Sequence, residues 1–533
     1  MSVQNRIVSL AVLAAVAVPA SAQTPDSQVS SIETVVVTAQ KRVQNPIDVP
    51  MALTAYSGTF MESVGIQEFD KLSLFVPGFV VQNQSPNNPG FGLRGLNLDS
   101  GEAAQEPRVS VFEDDVSIST TRATYIELFD IERIEVVKGP QTTLFGRAAL
   151  MGGVNVIQNK AKLDGFHAAA SIEGGDYNYY MGEAMVNVPL TDTLAMRIAG
   201  RYKSRNGYVE NLGIGNDYNS VNTAAGRLSF AWTPSEAFSS DLIFNYERDA
   251  PSGTSFKSGT FAPADAATGA ILGTIDHNTG ATLTNSVSGF EDDKQVGLNR
   301  KVWDVKSLNT YKFSPELTLS TVTAFRRFDS LEIFDPDGFV QPLLQAAEDE
   351  RGDQFSHEMR LNFENGGRFS GFVGANYFYS NVSQRVPFQF DERAALALVG
   401  GQGALLQNMP TAFFSSPAYT AGYAPTILRG VARATVYNTV YNMLVGTYGE
   451  AVAAAQANAQ ADVYVAANSA TLNYLAAGMK SNHWEESTNY GKTKSVDLYG
   501  DFTYRVTNAL ELNAGLRFTH DDKTTSYAST IGD

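Results

Sequence analysis

The dominant pattern in this 533-residue chain is a series of segments, each about ten residues long, in which apolar and polar side chains alternate. Residues 194–203 place Leu194, Met196, Ile198 and Tyr202 on one face and Arg197, Arg201 and Lys203 on the other. Residues 496–505 and 510–519 repeat the pattern, with Leu498, Phe502, Leu512 and Leu516 opposite Asp497, Asp501, Glu511 and Arg517. A period of two is that of a strand with one apolar face. Eleven such strands are predicted, near 165–174, 179–189, 193–203, 221–232, 237–247, 294–312, 317–329, 352–363, 368–382, 493–505 and 510–521.

The connections decide what kind of sheet this is. Every second one is a tight turn, at 189–192, 233–236, 314–316, 364–367 and 507–508. Beyond the short first connection, the others are loops of very unequal size, near 204–220, 248–293, 330–351 and 383–492. Short turns at one rim and long loops at the other are the pattern of a transmembrane β-barrel, with a polar face on a wet lumen and an apolar face on lipid. A soluble sandwich has no reason to keep that parity. Eleven is an odd count, and an open barrel leaves two strand edges unpaired in lipid. Residues 165–533 are therefore expected to be an incomplete barrel, with long extracellular loops at about 248–293 and 383–492. The second loop is Ala-rich and helical in character from about 431 to 477, with Val436, Val440 and Leu444 on one face. It reads equally as an external lid or as a structural insertion.

Residues 43–160 have a different texture, that of a compact α+β unit. Strand signals lie at 51–56, 108–112, 131–137 and 153–157, and helical signals at 58–64, 67–74 and 142–149. Glycines punctuate the turns between them. Ahead of this unit, residues 1–22 combine Arg6, an apolar run from Ile7 to Val18 and the small-residue site Ala20-Ser21-Ala22. That is the layout of a cleaved signal peptide for Sec-type export. Residues 23–42 read as a polar linker carrying one isolated β-branched run, Thr34 to Thr38. Such a strand either edges the next domain or waits to pair with a partner's sheet edge.

Composition narrows the function. A formal charge of −17 excludes the basic surface that a nucleic-acid partner needs. No Cys is present, so there is no disulfide scaffold or thiolate site, and the five His residues show no ligand spacing. No metal site and no cofactor are assigned. No phosphate-binding loop, nucleophile elbow or acid/base pair emerges, so no catalytic residue is named and the chain is read as not an enzyme. Glu113-Asp114-Asp115 is read as a charged turn between strands.

Motifs in the 43–160 unit then become specific. Leu93-Arg94-Gly95 precedes Val109-Ser110-Val111-Phe112-Glu113-Asp114-Asp115-Val116. The run Ile131-Glu132-Arg133-Ile134-Glu135-Val136-Val137-Lys138-Gly139-Pro140 leads to Leu144-Phe145-Gly146, and Gly152-Gly153-Val154-Asn155-Val156 follows. This order and spacing resembles the plug of TonB-dependent outer-membrane receptors. The chain departs from that pattern at Asp115, where Gly is usual, and by one extra residue before Gly152.

The resemblance implies an α+β plug domain followed by an antiparallel transmembrane β-barrel of 22 strands, of which about 11 are present. It implies that Glu33, Thr34, Val35, Val36, Val37, Thr38 and Ala39 form a TonB box, which pairs as an added strand with TonB, the inner-membrane energy-transducing partner. Arg94 and Lys138 match positions that fix the plug to carboxylates of the wall. Glu358, Asp497, Asp501 and Glu511, inward by alternation, are candidate partners. The implied function is active import of a scarce large solute across the outer membrane of a Gram-negative bacterium. A ferric siderophore is the default small-molecule substrate, with oligosaccharide, cobalamin or an aromatic compound as alternatives, and a passive porin or adhesin as a distant one. Outer-membrane lipid is the surrounding partner, the full-length protein is expected to be a monomer, and no substrate-binding residue is assigned.

Overall fold

The computed structural model describes residues 36–38, 41–42, 44–97, 101–102, 104–147, 149–256, 282, 290–338, 344–364, 366–401, 411–414, 416–507 and 509–532. The signal-peptide segment and four positions of the Val/Thr run (Glu33, Thr34, Val35 and Ala39) lie outside them.

The plug is a five-stranded sheet with a small three-stranded sheet beside it. The larger sheet has the order β1 (Ala52–Ser57), β7 (Ile131–Lys138), β8 (Gly152–Gln158), β5 (Ser110–Glu113) and β6 (Val116–Ile118). Only the β5–β8 pair is parallel among them. Alternation in β7 sorts its side chains. Ile134 and Val136 enter the plug core with Phe69, Leu72, Leu93, Val111 and Val154. Val137 packs on the opposite face with Phe112, Leu144 and Phe145, and there it meets Phe372 and Tyr499 of the wall. The sheet is thus buried on both faces, which explains why its strands read as nearly continuous apolar runs.

Helix α1 (Gly58–Val64) starts where Ser57 caps it, the hydroxyl accepting from the Phe60 N–H at 3.1 Å, and stops at Gly65 with φ 71°. Helix α2 (Phe69–Phe75) follows, and α3 is a single turn at Thr142–Phe145. The small sheet, β2 (Phe79–Asn83), β3 (Pro89–Leu93) and β4 (Leu96–Asn97), has no counterpart among the predicted strands. Pro89, Gly90 and Gly92 hide β3 from a propensity reading. The strand holds because its whole length is buried.

The wall is one antiparallel sheet of eleven strands in simple sequential order, as the alternation implies. They are β9 (His167–Gly175), β10 (Tyr179–Pro189), β11 (Leu194–Arg205), β12 (Val221–Ser235), β13 (Phe238–Asp249), β14 (Gly297–Ser314), β15 (Leu317–Phe334), β16 (Leu344–Glu364), β17 (Phe369–Phe390), β18 (His483–Thr507) and β19 (Leu510–Gly532). The sheet does not close on itself. The later strands run well beyond their predicted ends, β17 by eight residues from 382 to 390 and β18 by ten from 493 back to 483. The long insertion between β17 and β18 is correspondingly shorter than the sequence suggested. It contains an antiparallel helical pair, Ala424–Tyr448 and Glu450–Ala467, packed along the buried small residues Ala453, Ala457 and Ala461.

Inward and outward positions on the wall are clear from burial. Arg197, Arg201 and Lys203 are buried toward the plug, whereas Ile198 and Tyr202 are exposed. The first connection from plug to wall is fixed by Asn187, fully buried, whose side chain accepts from the Lys162 N–H at 2.8 Å and donates to the Lys162 and Gly165 carbonyls at 2.9 Å each.

Gly58 is required by a close approach: a Cβ there would lie 1.9 Å from the Ile131 carbonyl oxygen. Gly58→Ala is expected to cost about 1–3 kcal/mol or more through forced displacement of α1 from β7. Gly65→Ala, with open space but a left-handed backbone, should cost roughly 1–2 kcal/mol. Denaturant unfolding of the plug, followed by protease sensitivity, distinguishes the two; a larger loss for Gly65→Ala would contradict this packing.

Candidate functional site

Two features stand out where the N-terminal segment, the plug and the wall meet. The first is the docking of the segment on the plug. Val37 forms an isolated antiparallel bridge with Gln44, each N–H donating to the other's carbonyl at 2.9 Å. The Thr38 N–H donates to Glu135 Oε1 at 2.8 Å and its hydroxyl to the same oxygen at 3.2 Å. Arg133 completes the arrangement, donating to Glu135 at 2.8 Å and to Thr38 Oγ1 at 3.1 Å. Both β7 residues belong to the run that carries the family resemblance. Glu135 is fully buried. Burial holds its carboxyl above the ordinary range, which Arg133 and the Thr38 N–H only partly offset.

Beyond Thr38 the chain is clipped twice more. Lys41 pairs with Asp115 at 3.2 Å and lies over the Phe145 ring. Arg42 pairs with Asp501 of β18 at 3.2 Å. Burial raises the Asp115 carboxyl, but Lys41 and Arg360 outweigh that and hold it below the ordinary range. Its folded pKa lies under the unfolded one, so this pair contributes stability above the usual Asp range of about 3.9 and loses it as pH falls through the depressed value.

Asp114 and Asp115 form the two-residue hairpin between β5 and β6, at φ 50° and 67°. A turn with two left-handed residues explains why Gly is usual at position 115. Asp tolerates it, and Asn155 holds Asp115 by a donated hydrogen bond of 3.0 Å. Residues 113–115 do form the charged turn that the sequence suggests, with Glu113 and Asp114 buried and Asp115 partly exposed.

Glu113 and Asp114 belong to the second feature, a buried charged seam between plug and wall. Lys306 of β14 reaches Glu113 at 3.2 Å and Asp114 at 2.8 Å, and Arg326 of β15 also pairs with Glu113. Glu127 takes Lys203 at 2.6 Å and Arg201 at 3.4 Å. Asp130 accepts from Arg197 Nε at 2.8 Å and lies 3.8 Å from Arg227. Opposite in sign, plug Arg122 is fully buried against Glu350 at 2.6 Å and Glu348 at 2.8 Å of β16. It also donates to the Asn87 carbonyl at 3.0 Å and the Gly101 carbonyl at 2.8 Å. Arg300 of β14 donates to the Arg122 and Tyr125 carbonyls at 2.8 and 2.7 Å.

Arg94 and Lys138 sit elsewhere. Arg94 is an exposed residue of the β3–β4 turn, with φ 53° and its N–H on the Gly78 carbonyl at 2.7 Å. Lys138 ends β7, half-buried, opposite Ala52 and Gly152. Among the described residues neither makes an ion pair with the wall strands present. Of the four inward acids, Asp501 meets the linker. Asp497 pairs with Arg517, Glu358 with Arg360 and Glu511 with Arg505, all within the wall. Arg122 was missed because a lone Arg among threonines carries no periodic signal. Among the described residues, no three His, Asp or Glu side chains converge as a metal site.

Above the seam lies a cavity of about 450 Å³. The plug contributes Glu68, Asp70, Asn83, Ser85 and Tyr125, and the wall side contributes Lys203, Arg205 and Tyr208.

Two outcomes follow. Arg122→Leu strands Glu348 and Glu350 and should cost about 3–5 kcal/mol, largely recovered by adding Glu348→Gln and Glu350→Leu; unfolding in detergent measures both. Val37→Cys supplies a unique thiol in a Cys-free chain. Its maleimide labelling should be slow and should accelerate on adding Glu135→Ala, whereas equal rates would mean that Glu135 does not hold the segment.

Residues 45–154 match the family model described as TonB-dependent Receptor Plug Domain. The pesticin receptor of Yersinia enterocolitica is 30% identical over 142 residues, 26% of this chain and 20% of that protein. The ferripyoverdine receptor of Pseudomonas aeruginosa is 22% identical over 177 residues, 33% of this chain and 21% of that one. In structure, the ferric yersiniabactin uptake receptor of Yersinia pestis superposes with a TM-score of 0.60 at 15% identity, covering 90% of this chain and 58% of that one. The alcaligin outer-membrane receptor of Bordetella pertussis gives 0.53 at 9% identity, covering 93% and 61%. The chain thus matches about a fifth of the length of the curated relatives and somewhat more than half of the solved ones. Residues 45–154 thus match the TonB-dependent receptor plug domain in sequence, and the wall that follows them matches the barrel strands of the solved receptors in fold.

Proposed function

We propose that this protein imports a scarce solute across the outer membrane, driven by TonB acting on residues 33–39, with a ferric siderophore as the substrate. The observation that carries this reading is the combination of a plug held against the wall by buried charge pairs and an N-terminal segment docked on β7 at Thr38. A passive pore needs neither. The relatives are named as receptors for pesticin and ferripyoverdine and for uptake of ferric yersiniabactin, which supports a siderophore over an oligosaccharide, cobalamin or an aromatic compound. They are named as receptors rather than enzymes, and an outer-membrane location accords with the lipid-facing wall.

The steps follow from the contacts. Substrate enters from the loop side and settles against the plug, where the polar cavity bounded by Asn83, Ser85, Tyr125, Lys203 and Arg205 offers donors, acceptors and an aromatic ring. TonB adds its own strand to Val35–Thr38 through backbone hydrogen bonds. Tension on that strand acts first on the Thr38–Glu135 contact, then on Lys41–Asp115 and Arg42–Asp501, which lie next along the chain. Each is a short polar contact that can break without disturbing the apolar plug core. The seam at Asp130, Glu127 and Arg122 keeps the rest of the plug in the wall while the N-terminal part yields.

Val36→Pro removes a backbone donor and fixes φ in the middle of the pairing strand. In the full-length receptor it should abolish energy-dependent uptake of a ferric siderophore while leaving surface binding unchanged. Undiminished uptake would rule out residues 33–39 as the coupling strand, and uptake independent of TonB would overturn the transport mechanism itself.

A further inference from the structure

The cavity above the seam is dominated by acids. Four carboxylates line it, Glu68, Asp70, Glu127 and Asp249, against two cations, Lys203 and Arg205. Lys203 is already engaged, at 2.7 Å by Glu68 and at 2.6 Å by Glu127. Arg205 donates to the Asn219 carbonyl at 2.8 Å and lies over the Tyr208 ring. Asp70 makes no ion pair among the described residues, and its side-chain donor is Asn83 at 3.3 Å.

The cations behind the lining do not reverse the balance. Arg201 is shared by Glu127 and Glu183, and Arg300 by Glu247 and Asp249. Ser85 of the cavity donates to Glu332 at 3.0 Å, and Glu332, its register partner Glu348 and Glu350 surround the single cation Arg122. Lys71 adds one exposed cation on α2 beside Asp70. Among these described groups nine acids stand against six cations. The outer cleft that shares Arg205 brings Lys294, Lys301 and Arg351 and an equal number of acids, Asp217, Asp329 and Asp349. Tyr125 registers the excess. Burial, and then Glu68, Asp70, Glu127 and Asp249, hold its phenol well above the usual range. Its oxygen accepts from Asn83 at 3.0 Å, which leaves the O–H proton as a donor to the cavity.

The charge of an iron chelate is set by its ligand groups. Three hydroxamates, each singly charged, neutralise Fe(III), whereas three catecholates, each doubly charged, leave a trianion. At about 8 Å in water-like surroundings, one uncompensated carboxylate weakens the binding of a trianion on the order of tenfold, and salt screens the effect. A neutral chelate meets no such repulsion, and its hydroxamate oxygens can accept from Tyr125 and Arg205. We propose that this cavity selects ferric chelates without net negative charge, of the trihydroxamate class, and turns away tricatecholates, with Asp70 setting the discrimination. This selection rests on the siderophore import proposed above.

The test measures binding of ferric chelates to the full-length receptor in detergent by quenching of its tryptophan fluorescence. The probes are ferrichrome and ferrioxamine E, both neutral trihydroxamates, and ferric enterobactin and its linear trimer, both anionic tricatecholates. At least one trihydroxamate should bind on the order of tenfold more tightly than either tricatecholate. The gap should shrink about tenfold in Asp70→Asn and shrink with added salt, while Asp70→Glu should keep it. Heat-modifiable mobility confirms that each variant is folded. Equal or tighter binding of a tricatecholate, or an unchanged gap in Asp70→Asn, overturns the selection and leaves import standing. Binding of none of the probes, together with energy-dependent uptake of another ferric complex, also overturns the selection alone. No ferric complex bound or taken up would instead remove the siderophore reading, and the selection with it.

Discussion

The structure depends on burying charge in pairs between two independently patterned units. A carboxylate moved from water into a packed interior is costly unless a cation and further donors meet it there. The plug brings Glu113, Asp114, Glu127 and Asp130 to its surface, and the wall meets them with Lys306, Arg326, Lys203, Arg201 and Arg197. Arg122 reverses the signs against Glu348 and Glu350. Such contacts are poor general sources of stability but strong sources of register, because any shift leaves charges buried without partners. They place the plug in one position while leaving its hydrophobic core separate from most of the wall. That separation suits a plug that must stay seated at rest and yield locally under load.

The same logic makes the strand period useful on both of its faces. The inward half of each wall strand serves the seam, and the outward half serves lipid. Arg300 and Lys301 are consecutive residues, yet the first is wholly buried against Glu247, Asp249 and the Arg122 carbonyl while the second is exposed on the outer wall. A one-residue slip of β14 would exchange them and disrupt both surfaces. Register in this sheet is therefore set jointly by the plug and by the bilayer.

Much of this was legible in the chain. The alternation at residues 194–203, 496–505 and 510–519 identified wall strands and their inward charges, because a wet lumen and an apolar exterior impose opposite demands at successive positions. The helical signal at 58–64 matched α1, whose ends are set by local chemistry at Ser57 and Gly65. The small sheet at Phe79–Asn97 was not legible, because Pro89, Gly90 and Gly92 oppose strand propensity and only burial holds them extended. Nor were the ion pairs of Arg122, Glu113 and Asp130 with the wall, whose partners lie 67 to 228 residues away along the chain. Family resemblance drew attention to Arg94 and Lys138, but a motif position gives no direction for the side chain. The docking of Thr38 on Glu135 required both a non-periodic strand and a buried acid in an otherwise apolar run, and neither alone points to the other.

Import as proposed requires the plug to move against a wall that holds it by side-chain contacts. Ser330 of β15 donates to Asn87 of the plug at 2.8 Å, fully buried, and the chain has no native Cys. The most direct measurement is uptake of a ferric siderophore by full-length receptor carrying Asn87→Cys and Ser330→Cys, oxidised and then reduced. Closing that disulfide should block uptake and leave surface binding intact, with uptake restored by reductant. Uptake that continues undiminished in fully oxidised receptor would contradict the account.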